Sequence, residues 1–87
     1  MTDTPTQPMH PRQLVWRCRR GIRELDVLFG GFLETQYPTL SDERKLSFEL
    51  LLEEQDPLIM DWLFGRSAPD NQRLIDMIGL LKRQAGL

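Results

Sequence analysis

The chain has 87 residues, enough for one domain and too few for a second hydrophobic core. Hydrophobic residues make up 40% of it and charged residues 28%, with a net charge of −2; this composition is typical of a globular protein and does not indicate a disordered chain. The single histidine and single cysteine exclude an intramolecular disulfide and a metal site built from these two residue types within the chain.

The first predicted elements are a tail and a short helix. Residues 1–10 are predicted to be a disordered N-terminal tail, because threonine and proline make up half of them. Pro11 suits the first turn of a helix that is predicted to run to about Arg20. Gly21, after a run of arginines, is predicted to end this helix. The apolar face of the helix comprises Leu14, Val15 and Cys18.

A second helix is predicted to begin at Ile22 and to end before Pro38. The pair Gly30-Gly31 inside it costs about 1 kcal/mol per glycine relative to alanine. Such a pair predicts a kink or the close approach of a neighbour. The apolar stripe of this helix comprises Ile22, Leu25, Leu28, Phe29, Phe32 and Leu33.

Capping signals divide the second half of the chain. Ser41 is a predicted N-cap for a third helix that runs to about Gln55. Asp56-Pro57 is a cap followed by a proline, which predicts the start of a fourth helix. That helix reaches Phe64 and is closed by Gly65. Because it is apolar nearly all round, it is predicted to lie in the middle of the bundle.

The last predicted helix opens at Pro69 and Asp70. No stretch of useful length shows the alternating pattern of a strand. The sequence therefore predicts an all-α fold, a small single-domain bundle of five helices over residues 11–87. The inner face of the last helix is predicted to comprise Leu74, Ile75, Ile78 and Leu81.

We expect neither a targeting signal nor a membrane-spanning segment in this sequence. No apolar run approaches the roughly 18–20 residues that span a bilayer. Residues 1–11 lack the basic and apolar regions of a signal peptide. We therefore expect a cytoplasmic protein without membrane insertion, and a bacterial cytoplasm is the simplest location.

Positive charge is concentrated near the N-terminus. Residues 10–24 contain five arginines and one glutamate, whereas the rest of the chain contains six basic and twelve acidic residues. We name residues 16–24 the arginine segment. Its simplest interpretation is a solvated helix end whose cations complement the helix dipole. The asymmetry of charge and the bare backbone of Gly21 favour docking onto a partner instead.

Candidates for catalysis are few. His10 lies at the edge of the tail, where a solvated residue is expected rather than a general base. Glu53-Glu54 and Asp56 fit a helix end followed by a cap better than a catalytic acid pair. Gly30-Gly31 lies in a helical pattern and is not a phosphate loop. The sequence thus predicts no catalytic residue, no metal ligand and no enzyme activity.

Cys18 and Trp16 each allow two interpretations. The neighbouring arginines would lower the pKa of the Cys18 thiol and activate it. Its place on the face of Leu14 and Val15 favours a small buried hydrophobic residue instead. Trp16 lies off that face, so it either covers the bundle or meets a partner.

Residues Trp16 to Asp26, with the sequence Trp-Arg-Cys-Arg-Arg-Gly-Ile-Arg-Glu-Leu-Asp, resemble the signature of the succinate dehydrogenase FAD assembly factor family. The hallmark of that family is an Arg-Gly-x-x-Glu motif, here Arg20, Gly21 and Glu24. The resemblance covers about residues 12–83. Its further landmarks are Tyr37 to Ser41, Phe48 to Leu51, Asp56 to Leu58, Trp62-Leu63 and Pro69.

The resemblance implies a five-helix domain that binds the flavoprotein subunit of succinate dehydrogenase, and in bacteria often that of fumarate reductase. It implies a chaperone without catalytic activity, which promotes covalent attachment of FAD to a histidine of that subunit and binds no cofactor stably itself. We expect a monomer when the protein is free. Arg20 and Glu24 are expected to form charge-assisted hydrogen bonds across the interface. The expected partner-binding residues are Arg20, Gly21 and Glu24, with Arg17, Arg19, Arg23 and Asp26 at the rim.

Three alternatives stay open. Relatives within the family that this sequence resembles have been labelled antitoxin components of toxin–antitoxin pairs. If that label applied here, this chain would be a toxin-binding protein. Clustered arginines also fit nucleic-acid binding. The acidic remainder of the chain and the shortness of the predicted helix oppose that function, so we expect no nucleic-acid partner. The third alternative is a thiol-based enzyme that uses Cys18.

Overall fold

The computed structural model describes residues 11–87, and within that range it contains helices and no strand. The predicted all-α fold of five α-helices is therefore confirmed. The predicted tail, residues 1–10, and His10 lie outside the described residues. The helices are α1 Pro11–Arg17, α2 Arg23–Thr35, α3 Asp42–Leu52, α4 Asp56–Leu63 and α5 Gln72–Ala85, with a 3₁₀ helix, Tyr37–Thr39, between α2 and α3.

Helix α1 ends at Arg17, three residues before the predicted end at Arg20. The backbone N–H of Arg20 is taken up by the Asp26 carboxylate at 3.0 Å, and so cannot continue the helical ladder. Among the described glycines only Gly65 and Gly86 have positive φ. The prediction that Gly21 terminates the first helix is therefore wrong, because it does not adopt the left-handed conformation of a helix cap.

Helix α3 begins as predicted, because the Ser41 hydroxyl accepts a hydrogen bond from the backbone N–H of Arg44 at 3.2 Å. It ends at Leu52, before the predicted Gln55. Asp56 is the first residue of α4 and not its cap, since Gln55 occupies the cap position without a side-chain hydrogen bond. The Asp56 carboxylate instead accepts hydrogen bonds from the connection between α1 and α2, described below.

Gly65 closes α4 as predicted, with φ of 75°. The Arg66 N–H donates to the Asp61 carbonyl at 2.9 Å and the Gly65 N–H to the Trp62 carbonyl at 3.3 Å, the two bonds of a Schellman motif. Helix α5 starts at Gln72, later than predicted. Its actual N-cap is Asn71, whose side chain accepts from the backbone N–H of Arg73 at 2.8 Å.

Helix α5 packs against α2, α3 and α4, so it forms the centre of the bundle. Helix α4, predicted to lie there, buries one face and exposes Leu58, and Phe64 directly after it is exposed as well. Val15 is 52% exposed and does not join the core, and Met77 takes the buried place predicted for Ile75. The buried hydrophobic residues are Leu14, Cys18, Leu25, Phe29, Phe32, Tyr37, Phe48, Leu51, Leu52, Ile59, Trp62, Leu63, Leu74, Met77, Ile78 and Leu81.

Phe48 lies at the centre of an aromatic cluster. Its ring centroid is 5.8 Å from that of Phe29, 5.1 Å from that of Phe32 and 5.6 Å from that of Tyr37. These distances suit tilted and edge-to-face ring contacts, which add to the free energy of burial. The cluster fixes α2, the 3₁₀ helix and α3 against one another.

The glycine pair of α2 neither interrupts the helix nor admits a neighbour. Helix α2 runs without a break through Gly30 and Gly31. A Cβ atom at Gly30 would meet nothing within 4 Å, and one at Gly31 only the amide end of Gln84 at 3.7 Å. The predicted close approach is therefore wrong. Among the described helices, none has the length and apolar character needed to cross a membrane.

Candidate protein-docking site

The Arg20 side chain is directed into the fold, with only 10% of it exposed. Its Nε donates to Oδ1 of Asp56 at 2.7 Å. One terminal nitrogen donates to the carbonyl oxygens of Arg17 and Leu52, both at 3.0 Å, and the other to that of Glu54 at 2.6 Å. These bonds occupy four of the five N–H groups that a guanidinium carries.

The surroundings of the Arg20 guanidinium favour its positive charge. The carbonyls of Leu52 and Glu54 lie at the C-terminal end of α3, where the helix dipole is negative. The guanidinium carbon also lies 5.5 Å from the centroid of the Phe29 ring, within cation–π distance. Arg20 therefore links the connection between α1 and α2 to the end of α3 and to the hydrophobic core.

The Asp56 carboxylate accepts three hydrogen bonds from the connection between α1 and α2. Its Oδ1 receives the Arg20 Nε–H, while its Oδ2 accepts from the backbone N–H groups of Gly21 at 3.1 Å and Ile22 at 3.2 Å. The carboxylate is itself only 17% exposed. Because Asp56 lies in the first turn of α4, the positive end of that helix dipole also favours its charge.

Asp26 binds the connection from the other side. Its Oδ1 accepts from the Arg20 backbone N–H at 3.0 Å and lies 3.6 Å from the Arg19 guanidinium. We name residues 18–22, held between Asp26 and Asp56, the junction loop. Its fixed conformation depends on side chains of α2 and α4, because the backbone N–H groups of Arg20, Gly21 and Ile22 donate to Asp26 and Asp56 and not to helical carbonyls.

Gly21, Arg23 and Glu24 lie at the surface beside the buried part of the junction loop. No described residue forms a hydrogen bond or ion pair with the side chain of Arg23 or Glu24. Gly21 has an ordinary φ, and an added Cβ would lie 3.8 Å from Oδ2 of Asp56, a normal contact. The fold therefore does not require glycine at this position, although the exposed backbone remains bare.

The other predicted site residues have partners within the chain. Arg17 pairs with Glu53, and both side chains are well exposed. Arg19 contacts Asp26, and its side chain is also exposed. Such surface pairs contribute little to stability, about 0–1 kcal/mol, so both arginines can exchange their partners at low cost. Trp16 is 76% exposed, which excludes a role in covering the bundle.

The structure thus separates the predicted site into two layers. Gly21, Arg23 and Glu24 are exposed, and we name them the accessible layer. Arg20 and Asp26 instead form hydrogen bonds within the chain. The expected hydrogen bonds from Arg20 to a partner do not agree with this geometry, because Asp56 and backbone carbonyls already take up its donors. Sequence reasoning missed Asp56, since a residue 36 positions from Arg20 gives no local signal for the pairing.

An open groove of about 510 Å³ adjoins Arg23 and Glu24, between α2 and the C-terminal end of α5. Its wall is mostly apolar, and Val27 lines it with a largely exposed side chain. The groove continues the accessible layer of the site along α2. Charged groups therefore lie next to apolar surface, as in a protein interface with a polar rim.

Cys18 belongs to the core, which confirms the interpretation of a small buried hydrophobic residue. Burial raises the pKa of its thiol from 9.0 to about 11, although the nearby Arg20 acts in the opposite direction. The thiol is therefore protonated at neutral pH, and the predicted lowering by arginines is wrong. This environment opposes the alternative of a thiol-based enzyme.

We expect the protein to lose stability at alkaline pH through Cys18. Its raised pKa stabilises the fold fully below pH 9, and this contribution is lost as pH rises through about 11. The free energy of unfolding should fall by about 2–3 kcal/mol over this range. Urea unfolding at a series of pH values measures the change. In Cys18→Ala the loss should begin only near pH 10.0, the ordinary pKa of tyrosine, because the remaining contribution is that of Tyr37, whose pKa burial and Glu49 raise to about 12. An identical pH profile for both proteins would contradict this assignment.

These features define a class: a small helical domain with no built catalytic or metal centre among the described residues, and with exposed backbone and charged side chains on one surface. Among the described residues, no cluster of histidine, cysteine, aspartate or glutamate could hold a metal ion. The family model described as flavinator of succinate dehydrogenase matches residues 12–85. The chain belongs to this family.

Curated relatives carry the same family character. The FAD assembly factor SdhE of Coxiella burnetii is 36% identical over 72 residues, which cover 83% of this chain and 88% of the relative. That of a Serratia species is 43% identical over 67 residues, covering 77% and 76%. That of Yersinia pestis is 42% identical over the same shares. These names do not favour the antitoxin or nucleic-acid alternatives.

Proposed function

We propose that this protein binds the flavoprotein subunit of succinate dehydrogenase and promotes covalent attachment of FAD to a histidine of that subunit. The family membership and the names of the relatives support this function. The observation that carries the site is the exposed, bare backbone at Gly21, next to the side chains of Arg23 and Glu24, which pair with none of residues 11–87. The internal packing does not use these groups, which leaves them available to an interface.

The chemistry belongs to the partner in this proposal. The flavoprotein contributes both the flavin and the acceptor histidine, so the protein described here contributes no reacting group. Holding the two in attack geometry lowers the entropic part of the barrier, an effect that can reach several kcal/mol. The assembly factor thus acts as a chaperone and not as an enzyme, and it holds no FAD of its own.

The accessible layer is proposed to make the direct contacts. Gly21 permits close approach of the partner backbone, and Glu24 accepts charge-assisted hydrogen bonds from it. Arg17, Arg19 and Arg23 contribute at the rim, where they can exchange surface ion pairs for partner carboxylates. Arg20 and Asp26 contribute indirectly, by holding the junction loop in place.

The proposal extends to the setting of this interaction. The flavoprotein of fumarate reductase is proposed as a second partner. The protein is proposed to act as a monomer in the bacterial cytoplasm.

The test is covalent flavin in the partner when Glu24 is replaced by alanine. Removal of one member of a desolvated charged pair should cost about 2–5 kcal/mol of binding, or roughly 30-fold and more in affinity. The flavoprotein subunit is co-expressed with wild type or Glu24→Ala, and covalent flavin is measured as in-gel fluorescence after denaturation. We expect a strong decrease with the variant.

The matched control is Glu34→Ala, which removes the same side chain from the exposed far end of α2. It should leave covalent flavin at the wild-type level. Folding of both variants is checked by circular dichroism. Unchanged flavin with a folded Glu24→Ala protein would reject the assignment of Glu24 to the interface.

A further inference from the structure

We propose that Asp56 is a positioning residue, which turns the carbonyl groups of Arg20 and Gly21 outward as hydrogen-bond acceptors for the flavoprotein. This inference rests on the proposed function and identifies what the bare backbone presents. It assigns a role to a residue outside the Arg-Gly-x-x-Glu motif. The complementary partner group is an N–H donor, from an arginine or lysine side chain or from backbone.

The orientation follows from the Asp56 hydrogen bonds. The backbone N–H groups of Gly21 and Ile22 both point to Oδ2 of Asp56, at 3.1 and 3.2 Å. In a trans peptide the N–H and the preceding C=O point in opposite directions. None of the described peptide bonds is cis. The carbonyls of Arg20 and Gly21 therefore point away from Asp56.

The two carbonyls have no donor within the described residues. Helix α2 makes its first backbone hydrogen bond to the preceding residues at Ile22, whose carbonyl accepts from the Asp26 N–H at 3.0 Å. No described N–H or side chain donates to the carbonyl of Arg20 or Gly21. With the nearby Glu24 carboxylate, this edge of the molecule offers acceptors, which a donor-rich partner surface complements.

The junction loop needs an anchor to keep this arrangement. Glycine has more conformational freedom than any other residue, so an untethered Gly21 would sample many backbone directions. Fixing the backbone of one residue costs about 1–2 kcal/mol, which a partner would otherwise supply at binding. Asp56 is a suitable anchor because it is held in α4 with Pro57 behind it and by Arg20 beside it. The loop is thus ordered before it meets a partner.

The first measurement is hydrogen exchange by NMR on the free protein. In Asp56→Ala, we expect the amides of Gly21 and Ile22 to exchange at least 10-fold faster than in wild type. The Arg20 amide is an internal control, because Asp26 holds it and not Asp56. Retained protection at Gly21 and Ile22 in the folded variant would overturn the inference.

The second measurement separates positioning from stability. We expect Asp56→Ala to need at least 10-fold more assembly factor for half-maximal flavinylation, while saturating amounts restore the wild-type maximum. Asp56→Asn keeps one acceptor oxygen, guards against failure of the alanine variant to fold, and should show a smaller shift. Leu74→Ala, a destabilising change at a buried position of α5, should show no shift in the folded protein.

The outcomes distinguish the inference from the function on which it rests. Wild type that does not raise covalent flavin would overturn both. Active wild type with an unshifted Asp56→Ala dose response would overturn the positioning role alone. A shift of the same size in Leu74→Ala would also overturn it, because stability would then explain the effect.

Discussion

Replacement of Arg20 by alanine is expected to lower the free energy of unfolding by about 3–5 kcal/mol, because it breaks a largely buried ion pair. The variant loses the bond to Asp56, those to the Leu52 and Glu54 carbonyls, and the contact with the Phe29 ring. Asp56 keeps only backbone donors. Urea unfolding followed by circular dichroism measures the change.

Two matched variants test the origin of this loss. Arg19→Ala removes a neighbouring arginine whose side chain is exposed and whose pair is long at 3.6 Å, so we expect a change below about 1 kcal/mol. Arg20→Lys keeps the charge but not the fork of donors, and should recover only part of the loss. Equal effects of Arg19→Ala and Arg20→Ala would show that Arg20 has no special structural role.

Replacement of Gly21 by arginine is expected to reduce covalent flavin to the level seen without the assembly factor, while the fold persists. The φ of Gly21 is not in the left-handed region, and a Cβ there would make only a normal contact. A long side chain would instead cover the carbonyls at the proposed interface. Co-expression with the flavoprotein and in-gel flavin fluorescence measure the effect, with urea unfolding as the check on stability.

The matched control for Gly21→Arg is Gly30→Arg. This change places the same side chain on α2, where a Cβ meets nothing within 4 Å. It should retain flavinylation and should not destabilise the helix, because arginine favours helix over glycine by nearly 1 kcal/mol. Wild-type flavinylation by Gly21→Arg would remove Gly21 from the interface.

The sequence predicted the helices and most of the core because apolar periodicity is a local property. Leu25, Phe29 and Phe32 are spaced for one face of a helix, and the structure buries all three. The Ser41 cap and the Gly65 stop were also predictable, since each depends on hydrogen bonds within a few residues. Errors at Val15 and Ile75 show that a short periodic pattern does not fix the exact direction of the buried face.

The junction loop could not be predicted in the same way. The end of α1 is decided by Asp26 and the shape of the loop by Asp56, and neither bond has a signature near Arg20 in the chain. Asp56 looked like a helix cap because an aspartate before a proline usually is one. The motif indicated a candidate segment, but tertiary contacts decide which of its side chains remain accessible.

The two tryptophans have opposite environments, so their intrinsic fluorescence reports on different parts of the protein. Trp62 is buried against the core, whereas Trp16 stands in water within the arginine segment. Loss of the fold changes the surroundings of Trp62, and contact with a partner at that segment changes those of Trp16. With Trp62→Phe the remaining emission would report docking at the proposed interface, and with Trp16→Phe it would report folding, so the same molecule would separate the two events without an added dye.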